Sequence, residues 1–339
     1  ANGGVLARDF DSFHVARVEV LKGPQGTFYG SNALGGVIKF VTAAPELGAF
    51  EARGQAGVEF TRRGETSWLG NLAVNVPIGD RAAVRATGFY RDRGGFIDAI
   101  GRSGKNINDS QSYGGRVSLL VEPMDNLTIR LTAVAQDIRA DAPSFYDADP
   151  ESFEPVNAIT GEPSDNWTQY STIQEQNDVD YRLYSGTLNW DFGPANLTSV
   201  TSYGILSQRQ LVDGSLEDER NDTDFLYGCC GAATGPTGLA LDADIKTKKF
   251  TQELRLASPD SDTFEWLDGV YYTDEESSLF QNFLPFDLAS QEFISRALDL
   301  TPLADLFGFP GFVGFTTPEF AVVTLDSTYE EIAGFGSVT

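Results

Sequence analysis

Histidine and methionine each occur once in the 339 residues, and cysteine only twice. That scarcity removes most metal and thiol chemistry. A zinc centre needs several Cys or His ligands at short spacing, and His14 has no such neighbour, so neither a metal site nor a histidine-based hydrolytic triad is supported. The chain also has no GxxxxGK phosphate loop and no calcium loop with the required spacing of acids. Nucleotide-driven chemistry is therefore not expected. Positive charge is scarce too: 24 Lys and Arg stand against 49 Asp and Glu, a net charge of -25. Phosphate backbones are bound by clustered cations, so nucleic acid is not an expected partner. No apolar run reaches the roughly 18 residues of a spanning helix. Spanning by strands stays open, because such strands need only about ten residues of alternating character.

What the chain does have is concentrated first in Val15 to Pro45, VARVEVLKGPQGTFYGSNALGGVIKFVTAAP. Val18, Val20 and Leu21 near its start, and Val37, Ile38, Phe40 and Val41 near its end, read as two short buried strands. Between them, Gly23-Pro24, Gly26, Gly30 and Gly35-Gly36 allow the chain to fold tightly back on itself. This is the pattern of a small packed module.

Beyond Pro45 the pattern becomes strand, turn, strand, with connections alternating between short and long. Short joints rich in turn formers fall at 77–81, 122–126, 191–195 and 259–263. Long polar joints run roughly over 92–111, 139–179, 212–247 and 276–327. The strands predicted are 50–62, 68–76, 82–91, 113–121, 127–138, 180–190, 196–210, 248–257, 264–274 and 329–338. In the second, Trp68, Leu72, Val74 and Val76 share one face while Asn71, Ala73 and Asn75 share the other. In the fifth, Leu127, Ile129, Leu131 and Ala133 oppose Thr128, Arg130 and Thr132. A membrane barrel and a β-sandwich both produce such alternation. Trp68, Trp190, Phe192 and Trp266 near strand ends suit an interfacial aromatic girdle or ordinary packing. Leu288, Ile294, Ala297 and Leu298 have helical spacing, and Thr301-Pro302 resembles a helix start, so short helices are predicted on the last long connection.

Acidic residues gather in two of the long joints, Asp141 to Asp165 and Asp213 to Asp224. They read as solvated loops or as a field that concentrates cations. Aromatic side chains in the first of these joints, Phe145, Tyr146, Phe153, Trp167 and Tyr170, are candidates to grip a flat ligand or simply to pack the loop. Cys229 and Cys230 are adjacent in the next, where a vicinal disulfide, a strained pairing and free thiols all remain open.

The run RVEVLKGPQGTFYGSNALGGVI leading into Val41-Thr42 and Pro45 resembles the end of the plug domain of TonB-dependent outer-membrane receptors. TQELRLAS at Thr251 to Ser258 and FEWLDGVYY at Phe264 to Tyr272 are similar to paired mid-barrel strands of the same family. The resemblance implies an all-β fold, an antiparallel transmembrane β-barrel of the type with about 22 strands, of which about ten are present. The C-terminal part of an α+β plug, residues 1–48, would precede the barrel portion, residues 49–339. The chain starts late in the plug and stops inside a strand, so it is expected to be an internal fragment.

By the same resemblance the expected function is active uptake of a scarce ligand across the outer membrane of a Gram-negative bacterium, a ferric siderophore first, with oligosaccharide or a cobalamin-like ligand as alternatives. A non-transporting β-sandwich adhesin and a passive porin are the alternatives of another class. No enzyme activity and no cofactor are implied. Energy would come from TonB and the inner-membrane complex acting on a segment before the plug, and the barrel would be a monomer set in lipid and lipopolysaccharide. Arg17, Glu19 and Lys22, the turn glycines Gly23, Gly30, Gly35 and Gly36, and the alternating Glu253 and Arg255 are the expected gate elements. Buried charges need partners, and a Lys22 to Glu253 contact is the expected lock.

Overall fold

The computed structural model describes residues 13, 15–23, 35–157, 160–164, 166–214, 237–261, 264–287, 290–293, 298–299, 316–317 and 321–338. Sixteen strands follow one another: β1 Val15–Lys22, β2 Gly36–Thr42, β3 Glu51–Phe60, β4 Thr66–Ile78, β5 Ala82–Arg93, β6 Asp98–Gly101, β7 Ser110–Met124 and β8 Leu127–Ala140 make up the first half. The second half is β9 Thr168–Ser171, β10 Gln176–Asp191, β11 Asn196–Asp213, β12 Thr237–Ala257, β13 Trp266–Asp287, β14 Leu298–Asp299, β15 Thr316–Thr317 and β16 Ala321–Val338. No α-helix occurs among the described residues.

Ten strands form one antiparallel sheet in the order β16-β13-β12-β11-β10-β8-β7-β5-β4-β3, so each strand pairs with its neighbour along the chain once the short β6, β9, β14 and β15 are set aside. It is an open meander whose edges are β3 and β16. All ten predicted strands are present in order. Their ends differ most in three strands: β12 starts at Thr237 rather than Lys248, β13 runs on to Asp287 rather than Asp274, and β16 starts at Ala321 rather than Tyr329. In the β12 extension Leu241, Ala243 and Ile245 still alternate with Asp242, Asp244 and Lys246 as the ladder continues.

Tight turns at 79–81, 125–126 and 192–195 close one end of the sheet, helped by left-handed Gly79 and Gly193 at φ 63° and 94°. The longer connections lie at the other end, although the first of them, 61–65, is itself short. Leu298 belongs to the two-residue strand β14, paired with β15, not to a helix. The rest of that predicted helical pattern, like His14, Gly30, Cys229 and Cys230, lies outside the described residues.

The wall has two chemically opposite faces. Trp68, Leu72, Val76, Val117, Leu131, Tyr184, Leu254 and Val270 are exposed on one. On the other, Asn71, Asn75, Arg85, Thr87, Arg116 and Ser118 are buried. Apolar outside and polar inside is the arrangement of a strand wall between hydrocarbon and a wet lumen. Along the inner face the register links Asn75, Arg85, Ser118, Thr132, Ser185, Ser202, Thr251 and Thr273 in one row crossing eight strands. Within it Ser118 Oγ and Thr132 Oγ1 lie 2.9 Å apart, and Ser202 Oγ and Thr251 Oγ1 2.6 Å. Trp190 and Phe192 pack at 5.6 Å beside a tight turn, where an interfacial aromatic would sit.

β1 and β2 form a separate two-stranded ribbon with Val18 opposite Phe40 and Val20 opposite Ile38. These four are 43% to 63% exposed, so the expected burial of the ribbon is not met. Two strands alone have no opposing layer with which to cover an apolar face.

Candidate gate and ligand cleft

At the ribbon, Glu19 lies opposite Lys39 and accepts from Arg17 Nε at 2.6 Å, while Lys39 Nζ approaches it to 3.3 Å. The hydrogen bonds from Arg17 and then Lys39 hold its carboxyl below the usual range. Gly23 has φ 83° and Gly36 φ 135°, and a Cβ on Gly36 would lie 2.5 Å from the Leu21 carbonyl oxygen. Only glycine suits that turn. Gly35, in contrast, is open to any side chain. Lys22 pairs with Gly36 across the ribbon, and Glu253 is met by Arg255 two residues along β12. Leu254 is exposed on the face opposite those two charges, as the alternation requires.

The contacts that join the ribbon's end to the wall were not foreseen from the sequence. The chain between β2 and β3 has no ladder partner, and its backbone groups turn to side chains of the inner face. Asn75 Oδ1 accepts from Glu46 N at 3.0 Å, and Asn75 Nδ2 donates to the carbonyls of Glu46 and Ala49 at 2.9 and 2.7 Å. Arg116 Nη2 donates to the Ala43 carbonyl at 2.7 Å. Beside them Arg85 Nη1 meets Glu51 at 3.0 Å, and the Arg53 guanidinium sits 5.8 Å from the Phe13 ring centre. Asparagine on the inner face was the available signal, and it carried no spacing that announced a role.

At the opposite end two connections build a cap. β6 and β9 pair in parallel, and Ile97, Ile107 and Ala142 form a small core with Phe96 and Ala99 against it. Asn108 Oδ1 fixes this turn by accepting from both Phe96 N and Ile97 N. Trp167 meets Phe96 edge-on at 5.2 Å and stacks with Tyr146 at 6.2 Å. Arg62 and Arg63 from the β3–β4 connection complete a cleft of about 290 Å³ with Phe96, Asp98, Asn166 and Trp167. Arg63 Nη1 donates to Asn166 Oδ1 at 3.0 Å, holding one cation at its edge.

Of the predicted aromatics, Tyr146 and Trp167 come together. Tyr170 instead uses its backbone N to donate to Asp147 at 2.7 Å, with its ring near Gly101. Burial nevertheless pushes the Asp147 carboxyl up. Phe145 is half exposed, and Phe153, 74% exposed at a left-handed φ of 58°, stands in solvent. The two arginines and Phe96 were missed, because they lie far from that aromatic stretch in sequence. The acids of this connection divide similarly. Asp149 is solvated and lowered by the backbone N–H of Ser152, whereas Asp141 is pushed up by burial.

A second knot ties the cap together above β11 to β13. Ile173, Ala240 and Phe286 form its apolar part. Asp213 Oδ2 accepts from the N and Oγ1 of Thr172 and the N of Ile173, while Gln291 Nε2 donates to the Thr172 carbonyl. Glu175 Oε1 accepts from Asp213 N at 3.1 Å, and Gln169 Nε2 approaches its other oxygen at 3.4 Å. Glu175 is buried, and that burial, reinforced by the Asp213 charge, pushes its carboxyl up to about 7.

An antiparallel meander, apolar on one face and polar on the other, with a ribbon fastened at its turn end and a structured cap at its loop end, is the architecture of an open stretch of β-barrel wall. Residues 1–37 match the TonB-dependent Receptor Plug Domain. The catecholate siderophore receptor Fiu of Escherichia coli K12 is 38% identical over 77 residues, 22% of this chain and 9% of that protein. The ferric yersiniabactin uptake receptor FyuA from Yersinia pestis superposes with a TM-score of 0.66 at 16% identity, covering 96% of this chain and 41% of its own. The siderophore receptor PiuA from Acinetobacter baumannii gives 0.64 at 14%, with 97% and 45% covered. These solved structures share the fold, and the chain spans less than half the length of either. The chain is thus similar to TonB-dependent siderophore receptors in its plug match and in the fold of its strand wall.

Proposed function

We propose that the chain is the gate end and part of the wall of an outer-membrane transporter that takes up a ferric siderophore, energised through TonB. The observation that carries the cargo class is the cap cleft. In a chain of net charge -25, Arg62 and Arg63 place two cations, against the single carboxylate Asp98, beside Trp167 and Phe96. Guanidinium groups and ring faces together favour a flat, anionic, aromatic ligand, the chemistry of a ferric catecholate. Residues 1–48 would serve as gate and 49–339 as wall, with the apolar face against lipid. The Lys22 to Glu253 lock is retained as a proposal, and a charge reversal at Lys22 that leaves gate retention and uptake unchanged would remove it.

The test uses the full-length receptor in cells lacking other iron receptors. Radiolabelled ferric catecholate uptake should depend on TonB, and the double variant Arg62→Ala/Arg63→Ala should weaken cell-surface binding at least tenfold. Binding of a maltooligosaccharide in place of the catecholate, unaffected by the double variant, would reassign the cleft to sugar stacking.

A further inference from the structure

We infer that Asn75 sets the boundary between the part of the gate that moves and the part that stays on the wall, placing the hinge at the Thr42–Ala43 junction, ahead of the turn it holds. The inference rests on the transport reading above. It begins with where backbone hydrogen bonds go. In the ribbon they are internal: β1 pairs with β2 from Val15 to Lys22, and the two make a sheet of their own. A unit of that kind can shift as a body without opening its ladder. After Thr42 the ladder stops, and the bonds of the next residues go to the wall.

Asn75 commits both amide donors and its carbonyl to one short turn, Glu46 to Ala49, and its side chain is fully buried while doing so. Gly48, at φ 75°, allows the turn to wrap that amide. Pro45, buried just before it, has no N–H to satisfy and stiffens the approach. Arg116 takes the Ala43 carbonyl, a second and independent hold three residues earlier. Asn75 itself is held by the β4 ladder on both sides, opposite Glu51 in the last pair with β3 and opposite Arg85 of β5. The anchor point is thus as rigid as the wall. A pull from the N-terminal side would be arrested at this turn, so residues up to Thr42 move and the turn remains as a tether. Asn75 is a positioning residue, since it touches the gate's leash and not the ligand.

The test is amide hydrogen exchange on the full-length receptor in outer-membrane vesicles, with passage of vancomycin through the barrel as a second readout. In Asn75→Leu, exchange across 43–49 should rise at least tenfold and vancomycin sensitivity should increase, while ferric catecholate affinity stays within twofold. Asn71→Leu is the control, an inner-face amide on the same strand that bonds Gln55 at 3.2 Å, and it should leave 43–49 unchanged. Asn75→Asp keeps the acceptor for Glu46 N but loses both donors, so Glu46 should stay protected while vancomycin passes. Unchanged exchange in Asn75→Leu, or an equal rise in Asn71→Leu, overturns the inference. Exchange is read without ligand or energy source, so a failure of iron uptake would remove the transport reading and leave the hinge standing.

Discussion

Glu175 is 3% exposed and faces the Asp213 carboxylate, with the Arg102 guanidinium as the opposing charge nearby. Its carboxyl, displaced from 4.5 to about 7 chiefly by burial, stays protonated in the folded cap well above the pH at which the unfolded chain releases that proton. The folded state then holds more protons than the unfolded one between those values, so cap stability declines as pH rises from about 4.5 to 7. At about 1.4 kcal/mol per pH unit the loss is about 3 kcal/mol. Glu175→Gln, neutral at every pH, should flatten that dependence, read as hydrogen exchange of residues 168–176 at pH 5 and pH 8. An equal pH dependence in the variant would remove Glu175 as its source. Nothing in the sequence marks this residue. One more acid in an acidic chain reads as solvated, and only the packing of Ile173 and Phe286 beside it takes it out of water.

At the scale of single elements, β7 shows how tightly the wall is built. A Cβ on Gly114 would lie 2.5 Å from the Ala135 carbonyl oxygen and 3.0 Å from the Phe89 ring, whereas one on Gly70 meets nothing within 4 Å. Gly114→Val should destabilise the wall by about 2 kcal/mol, seen as a lower temperature for loss of heat-modifiable mobility in gels, and Gly70→Ala should not. Equal behaviour of the two would refute the close approach. The ten wall strands were legible because apolar and polar side chains alternate along stretches such as Trp68 to Val76 and Leu127 to Ala133, as a sheet with two unlike faces requires. The extensions of β12 and β13 were read as loop because charged and polar residues such as Asp242, Asp244, Glu275 and Glu276 crowd them, although β12 keeps its alternation there. The pairing of β6 with β9 was illegible for another reason. It joins residues about 70 apart through four pairs, and no local pattern encodes such a partner.

On the scale of the whole molecule, the apolar outer face predicts that the full-length protein is released from membranes only by detergent and migrates faster in gels when unheated. A freely soluble monomer would contradict the lipid-facing assignment. The strand lengths add something more. β3 has 10 residues and β13 has 22, and the lengths between them rise, with two one-residue reversals, from 13 in β4 to 21 in β12. At about 3.3 Å per residue the wall gains about 40 Å along the strand direction from one side to the other. The mouth is therefore a sloping sill, with Arg62 and Arg63 on its low edge and Asp242 and Asp244 on the tall parapet beyond. An anion drifting along the membrane surface would be turned back by the parapet and drawn in over the sill, so the direction of arrival is written into how long each strand was allowed to grow.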